Sequence, residues 1–243
     1  MAKKHFIDDI QILYQALSSQ YLYLPSHFIL TLYYFYKHDT IGRYSLANEL
    51  MLPDSRVKAI FEVLRSHQLI FPQLGRKGTT LSKDGIKLCE DIFSNLIFLN
   101  FNENISLGNL SVGEYNVLLA IPYLDEYKQL NVIQLRDIAI KTGGTGATIL
   151  KLIFEEENLY ISFLGSEENT DDFSSDFDLL NNKIHTILMK HSKKTLKWIL
   201  IAGVSSNPLN TINIPFIDHK KSQAFKIARI AATEIAWALF NIN

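Results

Sequence analysis

Residues 42–70 read GRYSLANELMLPDSRVKAIFEVLRSHQLI, and this stretch decides the fold of the first half of the chain. Ser45 is placed to cap a short helix, and Leu52-Pro53-Asp54 forms the turn that ends it. In the helix that follows, apolar residues recur at i, i+3, i+4 and i+7, the spacing of one buried stripe. The pattern predicts two helices joined by a tight turn, the second with a stripe made of Val57, Ile60, Phe61 and Leu64.

The opposite side of the second helix carries small and polar residues with cations beside them. Ser55, Ala59 and Glu62 lie on this side, and Arg56 and Lys58 flank it. Small side chains let a helix approach the base edges of DNA, and cations reach the phosphates. The sequence therefore indicates DNA contact by the two helices, with the candidate residues Ser45, Ser55, Arg56, Lys58, Ala59 and Glu62.

A hairpin with a basic tip follows the second helix. Two short strand-like stretches flank Gly75-Arg76-Lys77-Gly78, and Ser82 then caps a further helix. Glycines give such a tip the flexibility to follow a groove, and cations let it lie along phosphates. Arg76 and Lys77 are therefore further candidate DNA contacts.

This part of the chain resembles the winged-helix family of prokaryotic transcription regulators, over about residues 26–97. The matching pieces are SLANEL for the support helix, DSRVKAIFEVL for the recognition helix, HQLI leading into the wing and TTLSKDGIKL leaving it. The whole chain is also similar to an archaeal two-domain group with an uncharacterised C-terminal domain, through RDIAIKTGGTGATIL at residues 136–150. The resemblance implies a regulator that contacts double-stranded operator DNA, and it brings no known chemistry for the second half.

Two other functions stay open. Winged helices also serve as protein-interaction modules, and Glu62 with the scarcity of cations on the recognition face suits such a scaffold. The chain can also be an enzyme whose winged helix is an appended regulatory domain. The sequence contains no Ser-His-Asp or HExxH pattern, so we expect no catalytic residue, metal or cofactor, although distant residues can still build a site.

Domain boundaries follow from where the periodicity changes. Two helices precede the deciding stretch, the second with Ser26 as its N-cap, so the winged-helix domain extends over residues 1–98. Residues 99–110 are rich in Asn and Gly and lose periodicity, which predicts a linker. The second domain then covers residues 111–243, and we expect it to sense a small-molecule effector or to mediate dimerisation.

The second domain alternates strands and helices. From Tyr115 the predicted order is β-α-β-β-α-β-α, and its clearest strand, Leu196–Val204, is nearly all apolar and hence buried on both faces. Such an order favours a split βαβ sheet with helices packed on it, an α/β sandwich. The fold class of the whole chain is therefore α+β, with an N-terminal winged helix-turn-helix.

Two polar stretches of the second domain are candidate ligand-binding sites. Gly143–Gly146 lacks the lysine and the strand-to-helix context of a phosphate loop, so a helix C-cap with a turn explains it better. Ligand contact there, by Gly144 and Thr145, is the alternative. The other stretch follows the buried strand, where small polar residues often line pockets, and its candidates are Gly203, Ser205 and Ser206.

Charge and composition limit the remaining classes. The net charge is −1, but residues 1–100 hold 11 Lys and Arg against 9 Asp and Glu, whereas residues 101–243 hold 13 against 16. The sign suits DNA binding by the first half. Cys89 is the only cysteine and reads as a small buried apolar side chain.

Location and assembly follow from general arguments. No apolar run reaches the roughly twenty residues of a membrane span, and none has the form of a signal peptide, so we expect a cytoplasmic protein that does not contact membranes. One winged helix offers a DNA interface of only about 600–1,000 Å². We therefore expect a homodimer whose two-fold axis pairs two half-sites.

Overall fold

The structure is a computed structural model that divides into two compact units, Met1–Ser94 and Asn95–Asn243. It is α+β, with eight α-helices and two antiparallel sheets in the part that it describes. Among these residues, no helix combines the length and the apolar character that crossing a membrane requires. The described residues are 5–18, 24–73, 78–111, 113–123, 131–155, 158–165, 174–191, 197–205 and 217–241.

The first unit contains five helices and a two-stranded sheet among its described residues. In chain order these elements are α1 (His5–Ser18), α2 (Pro25–Lys37), α3 (Arg43–Leu50), α4 (Asp54–Ser66), β1 (Ile70–Pro72), β2 (Thr79–Leu81) and α5 (Lys83–Phe93). Ile41, just before α3, forms an antiparallel bridge with Thr79 through two backbone hydrogen bonds of 3.1 and 3.3 Å. One residue of a third segment therefore extends the small sheet.

Helix α4 carries the stripe that its sequence predicts. The four residues that are buried in α4 are Val57, Ile60, Phe61 and Leu64. Ser55, Lys58 and Glu62, which lie on the opposite side of the helix, are exposed. The helical phase deduced from the apolar spacing is therefore confirmed.

Helix α2 lies at the centre of the first unit. Residues 25–35 are buried without a break, and their aromatic rings pack against neighbouring helices. The Tyr33 ring meets Phe93 of α5 edge-on with 5.0 Å between centroids, and Phe35 lies 5.4 Å from Phe61 of α4. These aromatic contacts pack against the inner side of α4, and the outer side of α4 does not take part in them.

The helix starts of the first unit agree with the sequence at one serine and differ at two. Ser82 caps α5, since its hydroxyl accepts a hydrogen bond from the Gly85 amide at 2.9 Å. Ser45 was expected to cap α3 and Ser26 to cap α2, and both predictions were wrong. The N-caps are Gly42 and Leu24, so both serines lie inside their helices.

The two wrong caps have physical causes. Pro25 occupies the first helical position of α2, where a missing amide proton costs nothing, so the helix begins before Ser26. Helix α3 begins at Arg43, whose side chain is bonded to Asp54 at the start of α4. A contact distant in sequence therefore helps to fix that start.

Cys89 of α5 is buried, as predicted for a small apolar side chain. Its thiol donates a hydrogen bond to the Leu32 carbonyl oxygen at 3.6 Å. Burial, with a smaller contribution from Glu90, raises the pKa of the thiol to about 12. The thiol therefore stays protonated, which fits a packing role and not a reactive one.

The second unit is built on a five-stranded sheet. Its described elements are β3 (Ile97–Phe98), a 3-10 turn (Gly108–Leu110), β4 (Tyr115–Pro122), α6 (Val132–Lys141), β5 (Gly146–Glu155), β6 (Asn158–Phe163), α7 (Ser174–His191), β7 (Lys197–Ser205) and α8 (Ile217–Phe240). The predicted order from Tyr115 is confirmed. The strands lie in the order β3-β4-β7-β5-β6 with every neighbouring pair antiparallel, so β4 and β5 run parallel with β7 between them.

Helices cover both faces of this sheet. One face packs against α7 in a cluster that includes Trp198 and Leu200 of β7. The other face packs against α8, which also contacts α6. At Gly203 the approach of α8 is so close that a Cβ atom would lie 2.7 Å from the Ala232 amide nitrogen. The buried strand therefore uses both of its faces for packing, as the sequence predicts.

Residues 99–110 differ from the linker that their composition predicts. Leu99, Leu107 and Leu110 are buried in the same cluster as Trp198. The Asn100 side chain accepts a hydrogen bond from the Leu118 amide and donates one to the Asn116 carbonyl oxygen at 2.8 Å. Because β3 pairs with β4 over only two residues, asparagine side chains continue the hydrogen bonding along β4.

Candidate nucleic-acid interface

The outer side of α4 gathers five of the residues that the sequence marks for DNA contact. Ser55, Lys58 and Glu62 are exposed, and Arg56 and Ala59 are half-buried. Ser45, on the preceding helix α3, is exposed as well. This side of α4 therefore carries small and polar side chains, with two cations within one helical turn.

Lys58 and Glu62 form a weak pair on this surface. Their charged groups are 3.7 Å apart at i and i+4, and both side chains are about three-fifths exposed. An exposed pair of this kind contributes only ~0.3–0.5 kcal/mol, so a phosphate can compete for the lysine. Glu62 thus lowers the positive potential of the helix without fixing Lys58 in place.

A cluster at the starts of α3 and α4 was missed by the sequence analysis. The Arg43 Nε donates to Asp54 Oδ1 at 2.6 Å, and its guanidinium lies 5.1 Å from the centre of the Tyr44 ring. Hydrogen bonds with Tyr44 and Asp54 raise the pKa of Arg43. The Tyr44 side chain is 73% exposed although it is aromatic.

The Arg43–Asp54 pair connects the first residues of two consecutive helices. Unsatisfied amides at a helix start favour anions, and here the Asp54 carboxylate already lies at the start of α4. The signal in the sequence was a cation at one helix start and a carboxylate at the next, eleven residues apart. Periodicity analysis does not detect such a pair, because it evaluates each helix alone.

His27 is a buried histidine of α2 whose pKa depends in part on the charge of Arg56. Its Nδ1 accepts a hydrogen bond from the Leu24 amide at 3.0 Å, which supports the first turn of the helix. Burial, with a smaller contribution from the positive charge of Arg56, lowers the pKa of His27 to about 4. His27 is therefore neutral at physiological pH.

The hairpin that follows α4 is built as the sequence predicts up to its tip. Pro72 pairs with Thr79, and the Gln73 amide donates to the Gly78 carbonyl oxygen at 2.9 Å. Gly78 has φ of +89°, a left-handed conformation that favours glycine. Arg76 and Lys77, the candidate contacts at the tip, lie outside the described residues.

Two of the five candidate ligand residues of the second unit, Gly144 and Gly203, are committed to the fold. The Gly143 and Gly144 amides donate to the Ile140 and Ala139 carbonyl oxygens at 3.0 and 2.9 Å, which closes the end of α6. This agrees with the C-cap interpretation. Thr145, which follows this cap, is exposed.

In the second candidate stretch, Gly203 packs against helix α8. Gly203 was proposed as a ligand contact, but α8 occupies the space over it, so its role is packing. Ser205 ends β7, and Ser206 lies outside the described residues. Strand pairing joins Gly146 with Val204, so the two candidate stretches do lie side by side.

Comparisons with known proteins add fold likeness and no function. No family model matches the chain, and no curated protein matches it. A solved structure described as a hypothetical protein from Pyrococcus horikoshii OT3 is similar with a TM-score of 0.51. The two chains are 15% identical, and the match covers 90% of this chain and 95% of that one. At this identity the likeness concerns the fold alone.

Proposed function

We propose that the chain is a DNA-binding transcription regulator whose first unit is a winged helix. In this interpretation α3 is the support helix, α4 the recognition helix, and the hairpin of β1 and β2 the wing. The bridge between Ile41 and Thr79 supports it, since a third short segment beside the hairpin joins the wing to the helices.

The observation that carries the proposal is the two-sided character of α4. Its inner side is fixed by a buried apolar stripe, and its outer side offers Ser55 and Ala59 with Arg56 and Lys58 beside them. Small residues permit close approach to base edges, while the cations reach phosphates on either side. A polar outer side is common to surface helices, so the proposal depends on the small residues Ser55 and Ala59 beside two cations.

The charge of this surface supports modest, salt-sensitive binding. Residues 43–81 carry six Lys and Arg against three Asp and Glu, although the whole chain has a net charge of −1. The surplus lies on the helices and the wing, where phosphates would run. Each phosphate contact adds about 0.9 to the slope of log affinity against log salt concentration.

The second unit has two roles in this proposal. A single winged helix buries about 600–1,000 Å² on DNA, so a homodimer would double the contact and read two half-sites. The second unit would mediate that pairing or respond to a small molecule. Light scattering of the full chain measures the first role directly, with one chain mass or two as the outcome.

Binding of the full-length chain to duplex DNA at increasing salt tests the proposal. We expect binding at low salt and a steep decline as the salt concentration rises. Replacing Arg56 and Lys58 by alanine should lower the slope by about one to two units, because two phosphate contacts are lost. The matched control replaces Lys83 and Lys87, exposed lysines of α5, and removes the same charge.

Two outcomes contradict the proposal. A chain that binds no duplex at low salt is not a DNA-binding protein of this kind. If the α5 control weakens binding as much as the α4 variant, attraction is general and α4 is not the interface. Co-purification of a protein partner that the α4 variant loses would instead favour the scaffold function.

A further inference from the structure

The second unit contains a cavity of about 260 Å³ that the sequence analysis did not find. It lies between the beginning of α6, the edge of β5, the end of β6 and the 3-10 turn. Its walls are mainly apolar, with Leu110, Ile149, Phe163 and Leu164, and its polar side chains include Arg136 and Thr148.

The cavity exists because the two strands that flank β5 pair with it over different lengths. Strand β7 pairs with β5 from Gly146 onward, whereas β6 pairs only with residues 150–155. Beyond that ladder, the Leu164 amide still donates to the Ile149 carbonyl oxygen at 3.1 Å. The first residues of β5 therefore form an open edge that faces the cavity.

The wall opposite this edge is held in place by polar contacts. The Thr148 hydroxyl donates to the Leu110 carbonyl oxygen, which joins β5 to the 3-10 turn. Asn109 in the same turn donates to the Asp176 carboxylate of α7 at 3.1 Å. A cavity whose walls are fixed in this way is formed before any ligand arrives.

Arg136 gives the cavity its charge. Its side chain is exposed on α6 and lines the cavity, and no carboxylate side chain is among the described lining residues. Within the described part of the chain, the structure contains no ion pair that engages Arg136. A guanidinium matches the two oxygens of a carboxylate, and apolar walls suit a hydrocarbon body.

We propose that this cavity binds a small aliphatic monocarboxylate, with the carboxylate on Arg136 and the hydrocarbon against Leu110 and Phe163. The volume lies just below the ~300–1,000 Å³ of pockets for drug-sized ligands, which fits a shorter molecule. A single cation over apolar walls suits one negative charge better than the two of a phosphate group. The proposal identifies a ligand class for the second unit and does not depend on DNA binding.

Calorimetric titration of the full-length chain with isovalerate and with isovaleramide tests this site. The two probes share a carbon skeleton and differ in charge, so we expect the amide to bind at least about tenfold more weakly. Arg136→Ala should weaken isovalerate binding by a similar factor, and Arg136→Lys by less. Lys141→Ala removes the same charge from an exposed position near the end of α6 and should leave binding unchanged.

A second variant tests the cavity itself. Val132→Phe places a larger side chain at the cavity wall and should abolish binding of both probes while the melting temperature stays near that of the parent chain. The proposal is overturned if the parent chain binds neither probe, or if isovaleramide binds as tightly as isovalerate. Arg136-dependent binding of inorganic phosphate without isovalerate binding would also overturn it, since the ligand class would then be different.

Discussion

Helix α4 of the first unit and strand β7 of the second are both rich in apolar residues, yet they are packed in opposite ways. In α4 the apolar residues form one stripe, and the other side meets solvent. Strand β7 lies between two strands and under helices on both faces, so Trp198, Ile199, Leu200 and Ile201 are all buried.

The difference shows where function can reside in each unit. The outer residues of α4 can change without disturbing the core, so they are free to serve recognition. In β7 residues 198–203 are all buried, and the missing side chain of Gly203 makes room for α8. The middle of β7 is therefore closed to ligands, and the cavity of the second unit lies instead beside the first residues of β5.

The largest effect should come from the inner side of α4. Phe61→Ala removes a ring that packs 5.4 Å from Phe35, and we expect a loss of about 3–5 kcal/mol in the stability of the first unit. Ala59→Ser, on the outer side, should change stability by less than about 0.5 kcal/mol. Denaturation followed by circular dichroism measures both.

Tryptophan fluorescence supplies the control for this experiment. Both tryptophans, Trp198 and Trp237, belong to the second unit, so their transition reports that unit alone. Equal losses for the two α4 variants would mean that the two sides of the helix are not distinct, and the contrast with β7 would disappear.

A slightly smaller effect on stability should come from the titration of His27, whose pKa depends in part on the charge of Arg56 in α4. In the fold the pKa of His27 is lowered from 6.5 to about 4. Well above pH 6.5 neither state binds the proton, so this contribution to stability is complete. As pH falls through 6.5 toward 4, the unfolded chain takes up a proton that the folded chain does not bind. We expect stability to fall by up to about 3 kcal/mol over this window.

The variant His27→Gln isolates this contribution. Glutamine at the third helical position can still accept from the Leu24 amide, but it does not titrate. Stability measured from pH 7 to 4 should therefore depend less on pH in the variant than in the parent chain. Parallel curves for the two proteins would show that His27 takes up its proton equally in both states.

Strand β7 is tested by a comparison of two glycines. Gly203→Ala places a methyl group against the backbone of α8 and should destabilise the second unit by about 1–3 kcal/mol, seen through Trp198 fluorescence. At Gly42, the N-cap of α3, an added Cβ would meet nothing within 4 Å. Gly42→Ala should change stability by less than about 1 kcal/mol, because the poorer cap opposes the gain from a less flexible unfolded chain. If Gly203→Ala leaves the stability unchanged, α8 does not fill the space over this strand, and a ligand can bind there.

Local patterns of the sequence predicted most elements of the fold, but not β3 or the 3-10 turn. The stripe of α4 and the order of strands and helices along the chain from Tyr115 depend on spacing within a few residues, and both were confirmed. The predicted caps at Ser45 and Ser26 were wrong because other residues decide where these helices begin. Pro25 begins α2, and the hydrogen bond between Arg43 and Asp54 helps to fix the start of α3.

Contacts distant in sequence account for what could not be predicted. Asparagines usually indicate a loop, and Asn100 does lie in one, but its hydrogen bonds with residues 116 and 118 turn a linker into part of the second unit. The cavity at Arg136 is likewise assembled from four elements that are separate along the chain. Composition cannot reveal which loop meets which strand.

The smallest effect on stability, and the sharpest on function, is expected at the wing. Arg76 and Lys77 join the ends of β1 and β2, which pair through Pro72 and Thr79. Replacing both cations by alanine should change stability by less than about 0.5 kcal/mol, because the sequence predicts a hairpin tip there and substitutions at such tips disturb little packing. The same variant should bind specific and non-specific duplexes more weakly, with a salt slope that is lower by about one to two units.

This variant separates the two parts of the proposed interface. Phosphate contacts position a protein on DNA without selecting the sequence, so the wing variant should lose affinity for all duplexes in equal proportion. The α4 change Ala59→Ser, which keeps every charge, should instead alter the preference among sequences and leave the salt slope as it is. If the wing variant keeps its affinity and its salt slope, the hairpin is an ordinary turn, and DNA contact must come from α4 alone. A melting curve for each variant is needed, because affinity that disappears together with the fold says nothing about DNA.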